Sequence, residues 1–331
     1  MHKPFGTSYR RALLCVLLLV SASPSLPVFA QSAYPNHPIK LITPFPPGGT
    51  SDMLARLVAS KLGDGLGQTV TVENRIGASG NIGHEAAAKS PADGYTLLLS
   101  NSSTTVNNPH LFKKMPFDPI NDFAAISIVA SSGQVLVVHP SLPFNTLAEV
   151  TAYAKANPGK LNFGSGGKGI QSHISGEMYK SAVGINIVHV PYKGGVLAVN
   201  DLLAGHIQMV FSDMAPAMAH IKAGKLRAIA VTSAQRAAAL PDVPTMIESG
   251  LPGFESGVWW SIVAPKGTPV EIVNRVNTEL GKMVQLPEVR ETYAKLGVNT
   301  QHSTPAKVVE SIRAESPVMA KILKAAGVDA E

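Results

Sequence analysis

Residues 39–58 have the sequence IKLITPFPPGGTSDMLARLV. The stretch begins with an apolar run, Ile39–Thr43, and continues through a loop of proline and glycine into a segment whose apolar residues recur at helical spacing. Glycine-rich backbone between the end of a strand and the start of a helix leaves N–H groups free at the positive end of the helix dipole. The pattern therefore predicts an anion site made of backbone, with Thr50 or Ser51 as the helix cap.

A second stretch repeats this pattern. The motif Phe45-x-x-Gly48-Gly49 of the first glycine loop (residues 44–49) is matched by Phe163-x-x-Gly166-Gly167 in the second glycine loop (residues 164–169). Either loop alone could be an ordinary tight turn between a strand and a helix. Two such loops in separate halves of one chain favour a paired clamp for an anionic ligand.

From residue 38 onward, short apolar runs alternate with segments of helical periodicity, which is typical of α/β proteins with mostly parallel sheets. Ile126–Ala130 and Gln134–His139 are predicted to be separate strands joined by a turn at residues 131–133. Residues 240–254, rich in proline and glycine, are predicted to be a long connector. About 300 residues are enough for two domains.

The composition excludes several classes of protein. With 45% apolar and 15% charged residues the chain is not disordered. Of the 28 basic residues three lie in residues 1–30, which hold no acid, so the remainder carries 25 basic against 22 acidic side chains. This small excess argues against a nucleic-acid partner.

Residues 1–30 have the features of a signal peptide: a basic start, the apolar run Ala12–Val20, and small residues before a cleavage site near Ala30. Nine helical residues rise about 14 Å, too little for a hydrocarbon core of about 30 Å. The only cysteine, Cys15, lies in this segment after Leu14, where a lipid-anchor motif needs a small residue. We therefore predict export to the periplasm of a chain without thiols.

Motifs for catalysis and metal binding are mostly missing. The second glycine loop lacks the spacing of a P-loop, and Phe163 stands where a nucleophile elbow around Ser165 would need glycine. No pair of histidines has the spacing of metal ligands. We therefore predict no cofactor, no metal and no enzyme activity. A secreted hydrolase that uses Ser165, His173 and Asp213 is the alternative hypothesis.

Eight segments, in order along the chain from about residue 34 to 328, resemble the Bug-type substrate-binding proteins of tripartite tricarboxylate transporters. They are Pro44–Gly49, Val72–Arg75, Gly80–Gly83, Asp93–Leu97, Val188–Gly194, His220–Gly224, Leu240–Thr245 and Ala264–Pro269. The resemblance implies an α/β, two-lobed periplasmic-binding-protein fold (Venus flytrap, type II) with a ligand cleft between the lobes. It also implies a small organic acid as the ligand and membrane transporter subunits as the partner.

The resemblance further implies which residues bind the ligand. The first glycine loop and its helix would supply Phe45, Pro47, Gly48, Gly49, Thr50 and Asp52. The second loop and its helix would supply Gly164, Ser165, Gly166, Gly169 and His173, and neighbouring strand ends Asn101, Ser102 and Asp213. Ile170, directly after Gly169, is a further candidate of this sequence.

The lobes implied by the resemblance are built from non-contiguous chain: residues 34–133 with 257–331, and residues 134–256. We expect a monomer that binds a mono- or dicarboxylate, with aromatic acids among the candidates. The same fold also serves sensors that dock on a membrane kinase, so this role is a third hypothesis.

This chain departs from the family pattern at Ile170, where the family usually has Ser or Thr, and at Ser212-Asp213, where Asp-Asn or a similar pair is frequent. Isoleucine has no hydroxyl to donate to a carboxylate. The substitution predicts a ligand with an apolar segment beside its carboxylate, or weak binding of ordinary dicarboxylates. A third interpretation is that Ile170 points into the core of its lobe.

Overall fold

The computed structural model describes residues 1–2, 34–325, 328 and 330. Apart from Met1 and His2, the predicted signal peptide lies outside the described residues. Within the described part of the chain, no helix combines the length and the apolar character needed to cross a bilayer.

The strands pair into two sheets that share one long strand. The strands are β1 (Ile39–Thr43), β2 (Val70–Asn74), β3 (Thr96–Asn101), β4 (Phe123–Val138), β5 (Asn162–Ser165), β6 (Val188–Pro191), β7 (Met209–Asp213), β8 (Arg227–Val231), β9 (Gly257–Pro265) and β10 (Asn299–Thr300). The first sheet has the order β2-β1-β3-β9-β4, and the second continues as β4-β7-β5-β6. In addition, β10 pairs with β4 in the first sheet and β8 pairs with β4 in the second.

Parallel pairing is confined to the outer strands of each sheet. Strand β1 is parallel to β2 and β3, and β5 is parallel to β6 and β7. The shared strand β4 is antiparallel to both β9 and β7. The prediction of mostly parallel sheets is therefore wrong for the centre of the molecule. There β9 runs antiparallel to both β3 and β4, and β4 runs antiparallel to β7 and β8.

Strand β4 also corrects the prediction of two strands joined by a turn. Residues 131–133 continue the strand, because they pair with residues 257–259 of β9. At the next residue, Gln134, the partner changes to Asp213 of β7. A Cβ atom on Gly133 would lie 2.9 Å from the backbone nitrogen of Ser233, so the strand needs glycine there. Ser131, Ser132 and Gly133 therefore lie where β4 passes from the first sheet to the second, and the chain does not reverse its direction there.

Helices cover the sheets and connect their strands. They are α1 (Thr50–Leu66), α2 (Asn81–Ala88), α3 (Leu147–Ala156), α4 (Gln171–Val183), α5 (Gly195–Leu203), α6 (Met214–Lys222), α7 (Val270–Met283), α8 (Pro287–Lys295) and α9 (Pro305–Ala325). A π-helical turn at Ser103–Asn107 and short 3₁₀ turns at Ala78–Gly80 and Asn108–His110 follow strand ends in the first lobe, the part of the protein around the first sheet. The second lobe surrounds the second sheet.

Alternate side chains of the second sheet face two different cores, as the pleat of a strand requires. Leu136 and Phe211 pack with helices α3 and α4 on one face. Val137 and Val210 pack with helices α5 and α6 on the other face. Because both faces are covered, the ends of the strands and the starts of the helices remain as the places where a ligand can approach backbone.

Candidate functional site

A cavity of about 60 Å³ lies between the two lobes, where helices α1, α4, α5 and α6 begin. We call it the central cavity. From the first lobe it is lined by Phe45, Pro46, Gly49, Thr50, Ser51, Asn101, Ser103, Val258 and Trp260. From the second lobe it is lined by Gly166, Ile170, Gln171, Ser172, Gly194, Gly195, Val196, Val210, Phe211, Ser212, Asp213 and Pro216.

None of the four helices that begin at the central cavity is capped by the side chain of its own N-cap residue, although Gln171 N at the start of α4 donates to Ser103 Oγ of the first lobe at 3.2 Å. Their N-cap residues are Gly49, Ile170, Gly194 and Asp213, and no side chain of these four accepts a hydrogen bond from its own helix. Helix α3, away from the cavity, has a complete capping box. The first-turn N–H groups of an uncapped helix favour an anion at the positive end of the helix dipole.

The expectation that Thr50 or Ser51 caps α1 is corrected by the structure. Gly49 is the N-cap, and both hydroxyl residues lie inside the first turn. Ser51 Oγ instead accepts a hydrogen bond of 2.8 Å from Trp260 Nε1, and Thr50 Oγ1 is buried without a partner at normal distance among the described residues. A buried hydroxyl without a partner is costly unless a ligand or water satisfies it.

The second glycine loop uses several of its N–H groups internally. Gly166 N donates to Ser172 Oγ at 3.0 Å, and Gly169 N donates to His173 Nδ1 at 3.1 Å. These amides are already satisfied by side chains of helix α4. The loop therefore supports the wall of the central cavity more than it offers donors to an anion.

Two stacked imidazoles lie beneath the second glycine loop. The rings of His173 and His189 are 3.9 Å apart between centroids, and Ser165 Oγ lies 2.6 Å from His189 Nε2. Burial lowers the pKa of His173 to about 3 and the pKa of His189 to about 4. Both imidazoles are therefore neutral at neutral pH. Because His173 Nδ1 accepts the N–H of Gly169, its proton is carried by Nε2.

The residues of the alternative hydrolase do not come together as a triad. Ser165 is fully buried and bonds to His189 instead of His173. Asp213 bonds to Gln134 across the strand pair, at 3.2 Å between Oδ1 and Nε2. A nucleophile with no exposed surface cannot reach a substrate in this conformation.

Asp213 is the one charged side chain among the described residues that line the central cavity. It is half-buried at the start of helix α6. Burial raises the pKa of its carboxyl, although the Gln134 amide and the nearby Thr50 hydroxyl oppose the rise. The cavity thus combines uncapped helix ends, which favour anions, with one acidic group.

Seven of the predicted site residues line the central cavity, and their role in binding a ligand stays a prediction. They are Phe45, Gly49, Thr50, Asn101, Gly166, Ile170 and Asp213. Ile170 also lines a second cavity, which it shares with Ser79 of the first lobe and Tyr192 of the second, and it is half-buried. A half-buried residue that lines two cavities favours a position between the lobes over the interpretation that Ile170 points into the core, and its contact with a ligand stays a prediction.

The other predicted residues lie around the central cavity without lining it. They are Pro47, Gly48, Asp52, Ser102, Gly164, Ser165, Gly169 and His173. Asp52 accepts two hydrogen bonds from Arg56 and one from Gly48 N, each at 3.0 Å, and so holds the first glycine loop in place. Its ion pair lowers the pKa of its carboxyl against the effect of burial. Pro47 is exposed to solvent, and Ser102 Oγ accepts a hydrogen bond from Trp259 N at 3.2 Å.

Sequence reasoning missed a third strand–glycine–helix unit. Gly194 and Gly195 follow strand β6 and open helix α5 at the central cavity. The signal was present in the sequence, since a Gly-Gly pair again stands between a strand and a helix. Trp260 was also missed. It lies in β9, a strand in the middle of a sheet, and no motif in the neighbouring sequence indicates that this strand borders a cavity.

The two lobes touch across the cleft, and residues 35–331 form one compact unit. Ser79 Oγ of the first lobe donates to the carbonyl oxygen of Lys168 in the second at 2.8 Å. Asn107 Nδ2 donates to the carbonyl oxygen of Gly169 at 3.1 Å. These bonds join residues far apart in the chain and hold the two lobes in contact around the central cavity.

No three His, Cys, Asp or Glu side chains in the described part of the chain are grouped so that they could hold a metal ion. The polar atoms of the central cavity are mainly hydroxyls, amides and backbone groups. Such a lining suits hydrogen bonding to an organic ligand.

Comparison with known proteins places the chain in a family. Residues 54–328 match the family described as "Tripartite tricarboxylate transporter family receptor". Protein BugT of Bordetella pertussis is 40% identical over 290 residues, which are 87% of this chain and 89% of BugT.

Solved structures of similar proteins have the same fold. R. palustris Rpa4515 with adipate is similar at a TM-score of 0.88 and 34% identity, over 90% of this chain and 100% of that chain. MatC (Rpa3494) from Rhodopseudomonas palustris with bound malate is similar at a TM-score of 0.83 and 27% identity, over 88% of this chain and 100% of that chain. The proteins of this family are substrate-binding proteins. The chain belongs to the tripartite tricarboxylate transporter receptor family, with the two-lobed fold of its Bug-type binding proteins.

Proposed function

We propose that this protein is a periplasmic receptor that encloses a small organic acid between its lobes and delivers it to a tripartite tricarboxylate membrane transporter. The observation that carries the proposal is the convergence of uncapped helix ends from both lobes on one cavity whose described lining has no basic side chain. In such a cavity backbone N–H groups, and not lysine or arginine, bind a carboxylate.

Helices α1 and α5 supply the two sides of this proposed clamp. A Cβ atom on Gly49 would lie 3.9 Å from Val196 Cγ2, so the two helix starts are neighbours across the cleft. An acid that contacts both of them binds the closed state better than the open state and so favours closure. The adipate and malate bound to Rpa4515 and MatC are dicarboxylates, which supports carboxylates as the ligand class of this chain.

We place the boundary between the lobes at two crossings, Gly133–Gln134 and Ser256–Gly257. At the first crossing the partner of β4 changes from β9 to β7. At the second, Ser256 N donates to the carbonyl oxygen of Thr232 at 3.0 Å, whereas Gly257 already pairs with Gly133. Closure would then require backbone rotation at four neighbouring residues only.

We propose that the chain is not an enzyme and that it releases its ligand unchanged. The buried position of Ser165 supports this proposal. Removal of the segment up to about Ala30 and release into the periplasm are part of the same proposal, since a receptor must meet its ligand outside the inner membrane.

A thermal-shift panel tests the ligand class. Mono-, di- and tricarboxylates are compared with sugars and amines, and a ligand at 100 times its dissociation constant adds about 2.7 kcal/mol to the free energy of unfolding. Native mass spectrometry of freshly purified protein identifies an acid that co-purifies. Stabilisation by sugars alone would overturn the proposal.

A pair of variants at Gly195 tests the use of backbone donors. Proline is well tolerated at the first position of a helix, and Gly195→Pro removes the N–H there. Gly195→Ala adds a carbon at the same position, where no atom lies within 4 Å, and keeps the N–H. Calorimetry should show a loss of carboxylate affinity at least about tenfold larger for proline than for alanine, as one charge-assisted hydrogen bond requires.

A further inference from the structure

We propose that Asp213 makes the receptor selective for acids that carry a hydrogen-bond donor, a hydroxyl or an ammonium group, in addition to their carboxylate. The inference rests on the proposed function, since it concerns the ligand of the same cavity. It goes beyond that function because helix ends alone would accept an unsubstituted dicarboxylate equally well.

The first observation is the position of the carboxylate. Asp213 lines the central cavity, and the residues described there include no lysine, arginine or histidine that could neutralise it. It forms no salt bridge with any described residue, and it does not cap helix α6 although it is the N-cap residue. Its charge is therefore balanced only in part, by the positive end of the helix dipole and by a neutral amide donor.

The second observation is that Asp213 is held in place from one side. Gln134 and Asp213 are direct partners in the pairing of β4 with β7. Ser175 Oγ donates to Gln134 Oε1 at 2.7 Å, which turns the NH₂ group of Gln134 toward Asp213. Gln134 Nε2 then donates to Asp213 Oδ1 at 3.2 Å. This bond occupies one carboxylate oxygen. The Thr50 hydroxyl of the first lobe lies near the carboxyl but forms no hydrogen bond of normal length with it, so the other oxygen can still accept from a ligand.

The chemistry of the ligand follows from this arrangement. An ionised carboxylate only accepts hydrogen bonds. Its negative charge repels a second carboxylate placed beside it, and no hydrogen bond between the two offsets that repulsion. A hydroxyl or an ammonium group on the ligand donates to Asp213 and removes that repulsion. Thr50, the other unsatisfied group at the cavity, lies in the first lobe, so a ligand donor at Asp213 and an acceptor at Thr50 would together join the lobes.

Calorimetry on two matched series tests the selectivity. One series is succinate, malate and aspartate, and the other is adipate, 2-hydroxyadipate and 2-aminoadipate. Within a series the chain length is constant and only the donor changes. We expect the hydroxyl- or the ammonium-bearing member to bind at least about tenfold tighter than the unsubstituted parent. Whether the hydroxyl-bearing or the ammonium-bearing acid binds more tightly identifies the type of donor.

Asp213→Asn tests whether this residue is the cause. The variant keeps the size of the side chain, and its amide can donate to a carboxylate as well as accept from a donor. We expect the tenfold advantage to disappear and the parent acids to bind more tightly than they bind the original protein. Asp64→Asn is the control, because it removes the same charge from a surface position 73% exposed. Urea unfolding confirms that both variants fold.

Three results would overturn the inference. If the parent acids bind as tightly as the substituted ones, Asp213 does not recognise a donor on the ligand. The proposed function would still stand in that case. Parent acids that bind best, with an affinity that falls from pH 6 to pH 8 only when Asp213 is present, would show that a protonated Asp213 is itself the donor. No binding of any carboxylate would overturn the proposed function as well.

Discussion

Pro46 of the first lobe occupies the space that a Cβ atom on Gly194 of the second lobe would need. Such an atom would lie 2.4 Å from Pro46 Cγ, and Gly194 has a φ of +133°, which side chains rarely adopt. The start of helix α5 can therefore approach the first glycine loop only because residue 194 is glycine. This close approach brings the helix starts of both lobes to the central cavity.

Gly194→Ala should weaken ligand binding by opposing closure. Overpacking of this kind costs about 1–3 kcal/mol, which corresponds to a loss of affinity of about fivefold to more than a hundredfold. Gly205→Ala is the matched control, since Gly205 also has a positive φ (+77°) but no atom within 4 Å of the added carbon. Calorimetry measures the affinity, and small-angle scattering measures the compaction on ligand addition. Equal affinities for the two variants would contradict the role of this contact.

The two tryptophans of the chain should report ligand binding unequally. Trp260 lines the central cavity and donates to Ser51 Oγ at 2.8 Å. Trp259 points away from it and donates to the Glu315 carboxylate at 2.9 Å. Titration with a carboxylate that binds the protein should change the tryptophan fluorescence. We expect this change to persist in Trp259→Phe and to be largely lost in Trp260→Phe. The opposite pattern would place the ligand outside the central cavity.

The stacked histidines should make the protein less stable in acid. At pH values above about 6.5 both imidazoles are neutral in the folded and the unfolded chain. Below that pH the unfolded chain gains protons that the folded protein takes up only near pH 4 for His189 and pH 3 for His173. The free energy of unfolding should therefore fall as the pH is lowered from about 6.5 to 4, by up to about 1.4 kcal/mol per pH unit for each imidazole.

His173→Asn separates this contribution, because its amide oxygen can accept the N–H of Gly169 without titrating. Urea unfolding at several pH values should show a shallower fall for the variant. The remaining dependence includes His189 and His84, since burial lowers the pKa of His84 to about 4 as well. An unchanged pH dependence would mean that the proton uptake of His173 does not differ between the folded and unfolded chains.

Ile170→Ser tests the ligand that the departure from the family pattern suggests. Ile170 is the N-cap of helix α4, makes no cap hydrogen bond and lines the central cavity. Serine there can cap the helix and donate to a carboxylate, but it removes an apolar contact. Calorimetry should show weaker binding of the co-purified acid and tighter binding of a short dicarboxylate. If neither affinity changes, the side chain of Ile170 does not contact the ligand.

The strand–glycine–helix units could be predicted from the sequence because their signals are local. The apolar run Ile39–Thr43 is found as a strand with the same bounds, and the glycines that follow it stand at the start of helix α1. Phe45, Gly49 and Gly166, which belong to the two motifs, line the central cavity. Backbone conformation and helix starts depend on neighbouring residues, so a single chain segment contains the information.

The composition of the cavity could not be predicted in the same way. Trp260 and Asp213 reach it from strands whose sequences have no distinctive motif, and each is placed by pairing with a distant strand. His173 was expected in the site, yet it lies beneath the second glycine loop, where it accepts the Gly169 N–H and stacks on His189. Helical spacing alone did not distinguish a side chain at the cavity from one that supports its wall.

The sequence by itself determined the α/β elements, the glycine loops and the family, because each depends on short patterns of residue type. The tertiary structure decided that residues 131–133 continue a strand, since their partner is β9, more than 120 residues further along the chain. It also decided that Gly194 must pass Pro46 and that Asp213 is the acidic group of the central cavity. These features arise from contacts between the lobes and between distant strands, and such contacts exist only when the whole chain has folded.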